Sequence, residues 1–389
     1  MTAEALSAAE AAINADLPLT GVRVLDMTRM LPGNLCTLSL AMLGADVIKI
    51  EDTGAGDYQR IFGHQVDGAG ACNHVVNRGK RSVMLDLKAD ADRAAFETLV
   101  RSSDVLVESF RPGTLDKLGF TLEHLHGLRP RLVVASLSGY GATGPLAQVA
   151  GHDINYLAFS GLLHRQGTRE GAPALPPLPL ADLVGGGLVP AMLVMAYLRK
   201  AESTGKGCWI DASMTDAMSL LPHVTLADVL AGADVPGRAA TLNDGGLACY
   251  DSYAVRDGEI VVGALEEKFW GRVCDVVGGM DEFRRDHWRP EIQEPARRRL
   301  AEFFAPLTRA EVSELFAGAD ACVSPVQSYE EMLRSPHAQA RGYVAEVPGG
   351  PMPVLSFPAR VDGAPLPETR PAPRQGEHNS ELLGDGSSC

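Results

Sequence analysis

A chain of 389 residues exceeds what one ordinary hydrophobic core serves, so two domains are expected. Its apolar fraction of 46% and charged fraction of 22% fit a soluble globular protein. The net charge of −14, without any Lys/Arg-rich block, argues against nucleic acid or an anionic membrane as the main partner, yet allows an anionic small molecule held by a few local cations.

Seven scattered cysteines with no CxxC pair suit reduced thiols in the cytoplasm. Cys36, Cys208 and Cys322 read as small core residues, and no His/Cys spacing suggests a metal. Residues 1–16 are Ala- and Glu-rich without a basic region and apolar run, so they read as an N-terminal extension and not a signal peptide. The most apolar window, Leu183 to Leu198, holds three glycines and Pro190 and is short for a membrane span, which predicts a buried helix.

In chain order, Val22 to Asp26 is a β-type run, Leu35 to Leu43 fits a helix ended by Gly44, and Asp46 to Glu51 is a second strand. This is a βαβ unit without a GxGxxG, so a dinucleotide site has no support there. Ser82 to Leu87, Asp104 to Glu108 and Leu132 to Leu137 are further strands, with a helix over Ala89 to Arg101. The alternation predicts an α/β fold with a doubly wound, Rossmann-like large domain. Sites in such sheets lie in loops beyond the carboxyl ends of strands, here Ser109 to Gly113 and the glycine-rich turn from Ser138.

Beyond a proline-rich stretch, 172–179, come the apolar helix, a strand at Cys208 to Ala212 and an apolar helix near 214–231. Tyr250 to Val255 and Glu259 to Val262 flank the hairpin turn Arg256-Asp257-Gly258, and helices follow near 266–278, 293–304 and 309–318. The expected organisation is an extension (1–16), a large domain (17–231), a linker and small α+β domain (232–330), and a C-terminal segment (331–389) that returns to the large domain.

Gly151-His152-Asp153-Ile154-Asn155-Tyr156 crowds an imidazole, a carboxylate, an amide and a phenol against an apolar segment. A helix start at a pocket lip would present polar groups to a ligand, and His exchanges protons near neutral pH. The plainer alternative is an ordinary helix start with Asp153 near the cap and His152 solvated. Asp182 is a lone carboxylate between apolar neighbours, followed by Gly185-Gly186-Gly187, which admit a ligand or another backbone; the alternative is an N-cap. Asn77-Arg78-Gly79-Lys80-Arg81 suits either phosphate or a solvated basic turn. Glu266-Glu267 opens a helix, where acids complement the dipole.

These pieces, with Gly21 to Asp26, Gly44 to Val47, Phe110 to Gly113, Gly139 to Pro145, Gly205 to Gly207, Ser335 to His337 and Gly376 to His378, resemble the class III CoA-transferase family, the group that includes α-methylacyl-CoA racemase. The ordered set spans about residues 17 to 385, and the whole Gly-His-Asp-Ile-Asn-Tyr motif, with Asn243 to Gly246 and Gly263 to Glu266, looks like the racemase branch. That resemblance implies a 2-methylacyl-CoA racemase (epimerase) using His152 and Asp182 as two bases, with Glu266 supporting the proton path. In the transferase branch the carboxylate matching Asp182 would instead carry an acyl anhydride. It further implies an interlocked homodimer, an acyl-CoA thioester as partner and no cofactor beyond the CoA of the substrate. CoA contacts are implied from Leu85, Asp86, Leu87, Lys88, Ser109, Phe110, Arg111, Lys117, Gly151, Asp153, Ile154, Asn155 and Tyr156. Where the racemase branch tends to carry a phosphate-binding cation this chain has Glu51-Asp52, so Lys49, Arg60, Arg78 or Arg81 are expected to substitute. Ala181 stands where the family usually has glycine.

Overall fold

A computed structural model describes residues 17–384, and the expected extension 1–16 lies outside them. Two compact units emerge: 17–160 with 176–222 and 336–384, and 161–175 with 223–335. Residues 161–175 thus go with the second unit, a different grouping from the 17–231 block read from sequence.

The first unit is built on six parallel strands: β1 (Arg23–Met27), β2 (Asp46–Glu51), β3 (Arg81–Met84), β4 (Val105–Glu108), β5 (Val133–Ser138) and β6 (Cys208–Ser213). Their order is β3-β2-β1-β4-β5-β6, that of doubly wound dinucleotide-binding sheets. The strands are apolar on both faces because helices cover both. Val24, Val47, Val105 and Val133 point to a core shared with α1 (Met30–Met42), while Leu25, Ile48, Leu106 and Val134 point to one shared with α2 (Asp90–Arg101). The chain reverses its winding between β1 and β4, so their carboxyl ends open a crevice. There the Arg29 N–H donates to the Ser109 hydroxyl at 3.2 Å, tying the two loops together.

After β5 come α3 (Asp153–Phe159), a π-helical turn Ala181–Leu188 running straight into α4 (Val189–Thr204), then β6 and the short α5 (Met214–Met218). The continuous 181–204 helix is long and apolar enough to cross a membrane by composition. It buries one face, Ala191, Val194, Leu198 and Ala201, in the sheet core and leaves Leu188, Met192 and Tyr197 exposed, so it is half-buried where the sequence suggested a buried helix. The apolar helix expected over 214–231 is two helices, Met214–Met218 and His223–Leu230. Pro222 lacks an N–H and disfavours helical backbone at Leu221, which accounts for the break.

The C-terminal segment seals the edge strand β3. The Ser82 N–H donates to His378 Nδ1 (3.2 Å), the His378 N–H to the Ser82 carbonyl (2.9 Å), and the Met84 N–H to Asn379 Oδ1 (2.9 Å). Side chains and main chain at the start of the helix Asn379–Leu383 thus stand in for a seventh strand.

In the second unit, β7 (Tyr250–Val255) and β8 (Gly258–Gly263) form the expected hairpin, with β9 (Val323–Pro325) antiparallel to β8. Helices α6 (Glu267–Val277), α7 (Pro290–Phe304) and α8 (Arg309–Leu315) supply Trp270, Leu300, Phe304 and Val312 to its core. Cys322, expected in a core, is exposed, on a residue with φ +54° just before β9; Cys36 is buried and Cys208 half-buried.

Candidate active site

The carboxyl end of β5 leads through the 139–151 turn to α3, whose N-cap is His152. The Asn155 side chain accepts the His152 N–H at 3.0 Å and fixes this start. Tyr156, one turn in, donates its hydroxyl to the Gly151 carbonyl at 2.6 Å and packs edge-on against Tyr140, centroids 5.1 Å apart. The turn is glycine-rich for a steric reason. A Cβ on Gly139 would lie 2.3 Å from the Tyr156 ring, and the Gly139 carbonyl already accepts the Thr215 N–H and hydroxyl. Gly139→Ala is expected to displace Tyr156, costing about 1–3 kcal/mol of stability by overpacking. Chemical denaturation checks this, and an unchanged midpoint would refute it.

Asp153 is buried behind His152, and its Oδ1 accepts two N–H groups from the start of the π-helical turn, Ala181 at 2.6 Å and Asp182 at 3.1 Å. The structure thereby brings the His152 and Asp182 segments together through the residue between them. His152 itself is exposed. Asp182 is the second residue of the turn, not its cap, and its carboxyl receives no hydrogen bond among the described residues. Burial without a donor, and then the charge of Asp153, push the Asp182 carboxyl up to about 7. Burial also raises Asp153, against the pull of its two N–H donors. Tyr156 is pushed up to about 12, by burial and then by Asp182, Tyr140 and Asp153, and stays a neutral phenol.

The glycine triplet admits helices, not a ligand. A Cβ on Gly185 would meet the Met214 backbone at 2.7 Å, on Gly186 the Pro32 Cβ at 2.4 Å, and on Gly187 the Leu35 side chain at 2.8 Å. The turn therefore nests between α1 and α5, and its π geometry, a frequent mark of functional sites, carries Asp182 at its head.

The basic residues expected to substitute at the CoA phosphates are spent elsewhere. Lys49 is fully buried at 2.8 Å from Asp57, and so is Lys80 of the Asn77–Arg81 run, at 3.0 Å from Asp26. Burial would raise the Asp26 carboxyl, but Lys49, Lys80 and the Thr28 and Thr37 hydroxyls overcome it and hold the group well below the usual carboxylate range. Arg60 pairs with Glu51, Arg78 with Glu368, and Arg81 with Asp46 and Glu381. The Asn77–Arg81 run is thus neither a phosphate loop nor a solvated turn. Ion pairing across more than 280 residues, as for Arg78, leaves no local signal in a sequence.

The remaining CoA candidates lie at carboxyl ends of strands. Leu85 is buried after β3; Asp86 caps the Lys88 N–H at 3.1 Å, Leu87 is half-buried, and Lys88 is exposed. Ser109 sits at the crevice, and Phe110 and Arg111 line a cavity of about 250 Å³ with Ser136, Trp209 and Asp211. Arg111, Lys117 and Lys88 are exposed and have no ion-pair partner among the described residues. Ile154 and Asn155 are exposed on α3. Glu266 lies in the second unit, exposed at the N-cap of α6, in a hollow with Arg285, His287 and Trp288. Arg29, two residues beyond β1 at the crevice and not singled out from the sequence, pairs with Asp52 and lies over the Tyr58 ring at 5.7 Å. Met30 beside it has φ +66°, rare for a residue with a side chain, and its N–H donates to Asp57 at 3.1 Å.

A family profile for CoA-transferase family III matches residues 19–379. The chain is 34% identical to α-methylacyl-CoA racemase of Homo sapiens over 374 residues, covering 94% of this chain and 93% of that one. It is also 34% identical to acetyl-CoA:oxalate CoA-transferase of Acetobacter aceti, covering 94% and 95%. Among solved structures it is similar to a CaiB/BaiF family protein of Brucella suis, at TM-score 0.83 and 28% identity, covering 94% and 98%.

Proposed function

We propose that this chain, which belongs to CoA-transferase family III, is an acyl-CoA racemase that inverts the α-carbon of a 2-methylacyl-CoA thioester by proton transfer between His152 and Asp182. The observation that carries the reading is the Asp153 carboxylate, which receives the Ala181 and Asp182 N–H groups and so fixes the segment led by His152 against the one that bears Asp182. Inversion needs a base on one face of the carbon and an acid on the other, and the two groups exchange roles with reaction direction. A carboxyl near 7 is populated in both states at neutral pH, as that exchange requires.

Removing the proton leaves an enolate, whose oxygen needs a donor. The Ala181 and Asp182 N–H groups are taken by Asp153, and the Asp153 N–H has no acceptor among the described residues, so it is the donor we assign. Arg111, Lys117 and Lys88 are the cations left to meet the CoA phosphates, and Glu266 supports the proton path. The reaction calls on no cofactor beyond the CoA of the substrate. The enzyme works as an interlocked homodimer, as the family resemblance implies, and in the cytoplasm, which its scattered cysteines suit.

The second reading is a CoA-transferase in which Asp182 attacks the thioester, favoured by relatives such as the oxalate enzyme. A nucleophilic carboxylate must be ionised, which the raised Asp182 opposes near neutral pH. Incubating one enantiomer of a 2-methylacyl-CoA in deuterated water, with no acceptor acid, separates the two. α-Deuteration with loss of optical purity, abolished by His152→Ala, is expected; turnover only after a free acid is added would assign the transferase.

A further inference from the structure

We infer that Asp153 is a positioning residue for Asp182: its carboxylate anchors the first two peptide N–H groups of the π-helical turn and holds a fixed negative charge beside the reacting carboxyl. Calling that carboxyl reacting rests on the function proposed above; the anchoring does not. Asp153 is a CoA contact by resemblance, but its side chain faces the turn, at 2.6 Å from the Ala181 nitrogen and 3.1 Å from that of Asp182. Burial raises the Asp153 carboxyl, and its two peptide donors oppose that by favouring the ionised form. Asp182 has no such donors, so of two neighbouring acids Asp153 ionises first and its charge opposes ionisation of the second.

Apart from His152 at the head of α3, which is a cation only when protonated, the elements packed against the turn bring no free cation to Asp182. Tyr156 faces it from α3, and the titratable groups on the other elements packed against the turn are Cys36 on α1, Asp216 on α5, and Asp211 with Cys208 on β6. Arg29, at the head of α1, is paired with Asp52. Arg199 and Lys200 of α4 are exposed about three turns beyond its start. Backbone anchoring and charge therefore come from one side chain, and they are separable by substitution. Asp153→Asn keeps an oxygen that can accept both N–H groups but removes the charge. Asp153→Ala removes both. Asp153→Glu keeps the charge but moves it by one methylene.

The experiment is a carboxyl titration by ¹³C NMR on aspartate-labelled protein, with Asp182→Asn assigning the resonance, beside amide hydrogen exchange at Ala181 and Asp182. Wild type should titrate near 7 at Asp182. In Asp153→Asn that midpoint should fall by about one pH unit, with the two amides still protected, and the pH–rate profile should shift with it. In Asp153→Ala the two amides should exchange at least about tenfold faster, and kcat should fall more than KM changes. Should the alanine variant not fold, Asp153→Glu should keep the Asp182 midpoint high while losing amide protection. An unmoved midpoint in the asparagine variant, or amide exchange unmoved in both the alanine and glutamate variants, overturns the inference. A midpoint that moves as stated in an enzyme showing no α-proton exchange would sink the racemase reading and leave the positioning role standing.

Discussion

Asp182→Asn is expected to lower α-proton exchange by roughly 10²–10⁴-fold, the loss that follows removal of a positioned acid–base group. The asparagine fills the same space, so the loss is chemical and not a matter of folding. The same variant carries a stability signature with a definite sign. In the fold the Asp182 carboxyl holds its proton up to about 7, whereas in the unfolded chain it releases it near 3.8, the ordinary value for an aspartate. Between those values the native state binds the extra proton, so its stability falls as pH rises from about 4 to about 7 and then levels. Asparagine carries no such dependence. The variant's melting temperature should therefore gain on wild type as pH rises, least at pH 4 and most at pH 7.5. A gain that is flat across this range would mean that the carboxyl titrates as an ordinary exposed one.

The second large effect lies away from the chemistry. Asp26→Ala should destabilise the first unit by about 3–5 kcal/mol, because Lys80 and Lys49 would remain buried with a charge removed from between them. Lys80 is already pushed down to about 8, by burial against the pull of Asp26, so without that carboxylate it would lose its proton still more readily. Urea denaturation of Asp26→Ala, and of the double variant Asp26→Ala/Lys80→Met, measures this. The double variant should recover part of the loss, since it removes an unpaired buried charge. A single-variant cost below about 1 kcal/mol would show that water or a rearranged Asp57 takes over the pairing.

Local information in the chain was sufficient for the alternation of strands and helices. β2 was predicted at its observed limits, and the 250–263 hairpin to within a residue, because strand period and turn chemistry act over a few residues. His152 at a helix start and Asp182 as a carboxylate set among apolar residues near a helix start were legible for the same reason. What escaped was tertiary. The π-helical turn has no sequence pattern that separates it from the α-helix it runs into, and the purpose of Gly185-Gly186-Gly187 depends on Pro32, Leu35 and Met214 arriving from elsewhere. The Lys and Arg residues of 77–81 looked available because their partners, Asp26, Asp46 and Glu368, are distant in the chain. A sequence displays charges; only packing decides which of them are already neutralised.

The seal on β3 has a consequence for how the molecule is made. Ser82 waits for His378, 296 residues later, so during translation the outer strand leaves the ribosome with its peptide groups unmatched. At roughly 5–20 residues per second the interval is about 15–60 s, long compared with strand collapse, and throughout it the nascent sheet offers a template for foreign strands. Any chain ending before residue 375 would keep that template for life, and would be expected to accumulate in inclusion bodies however well its catalytic residues were formed.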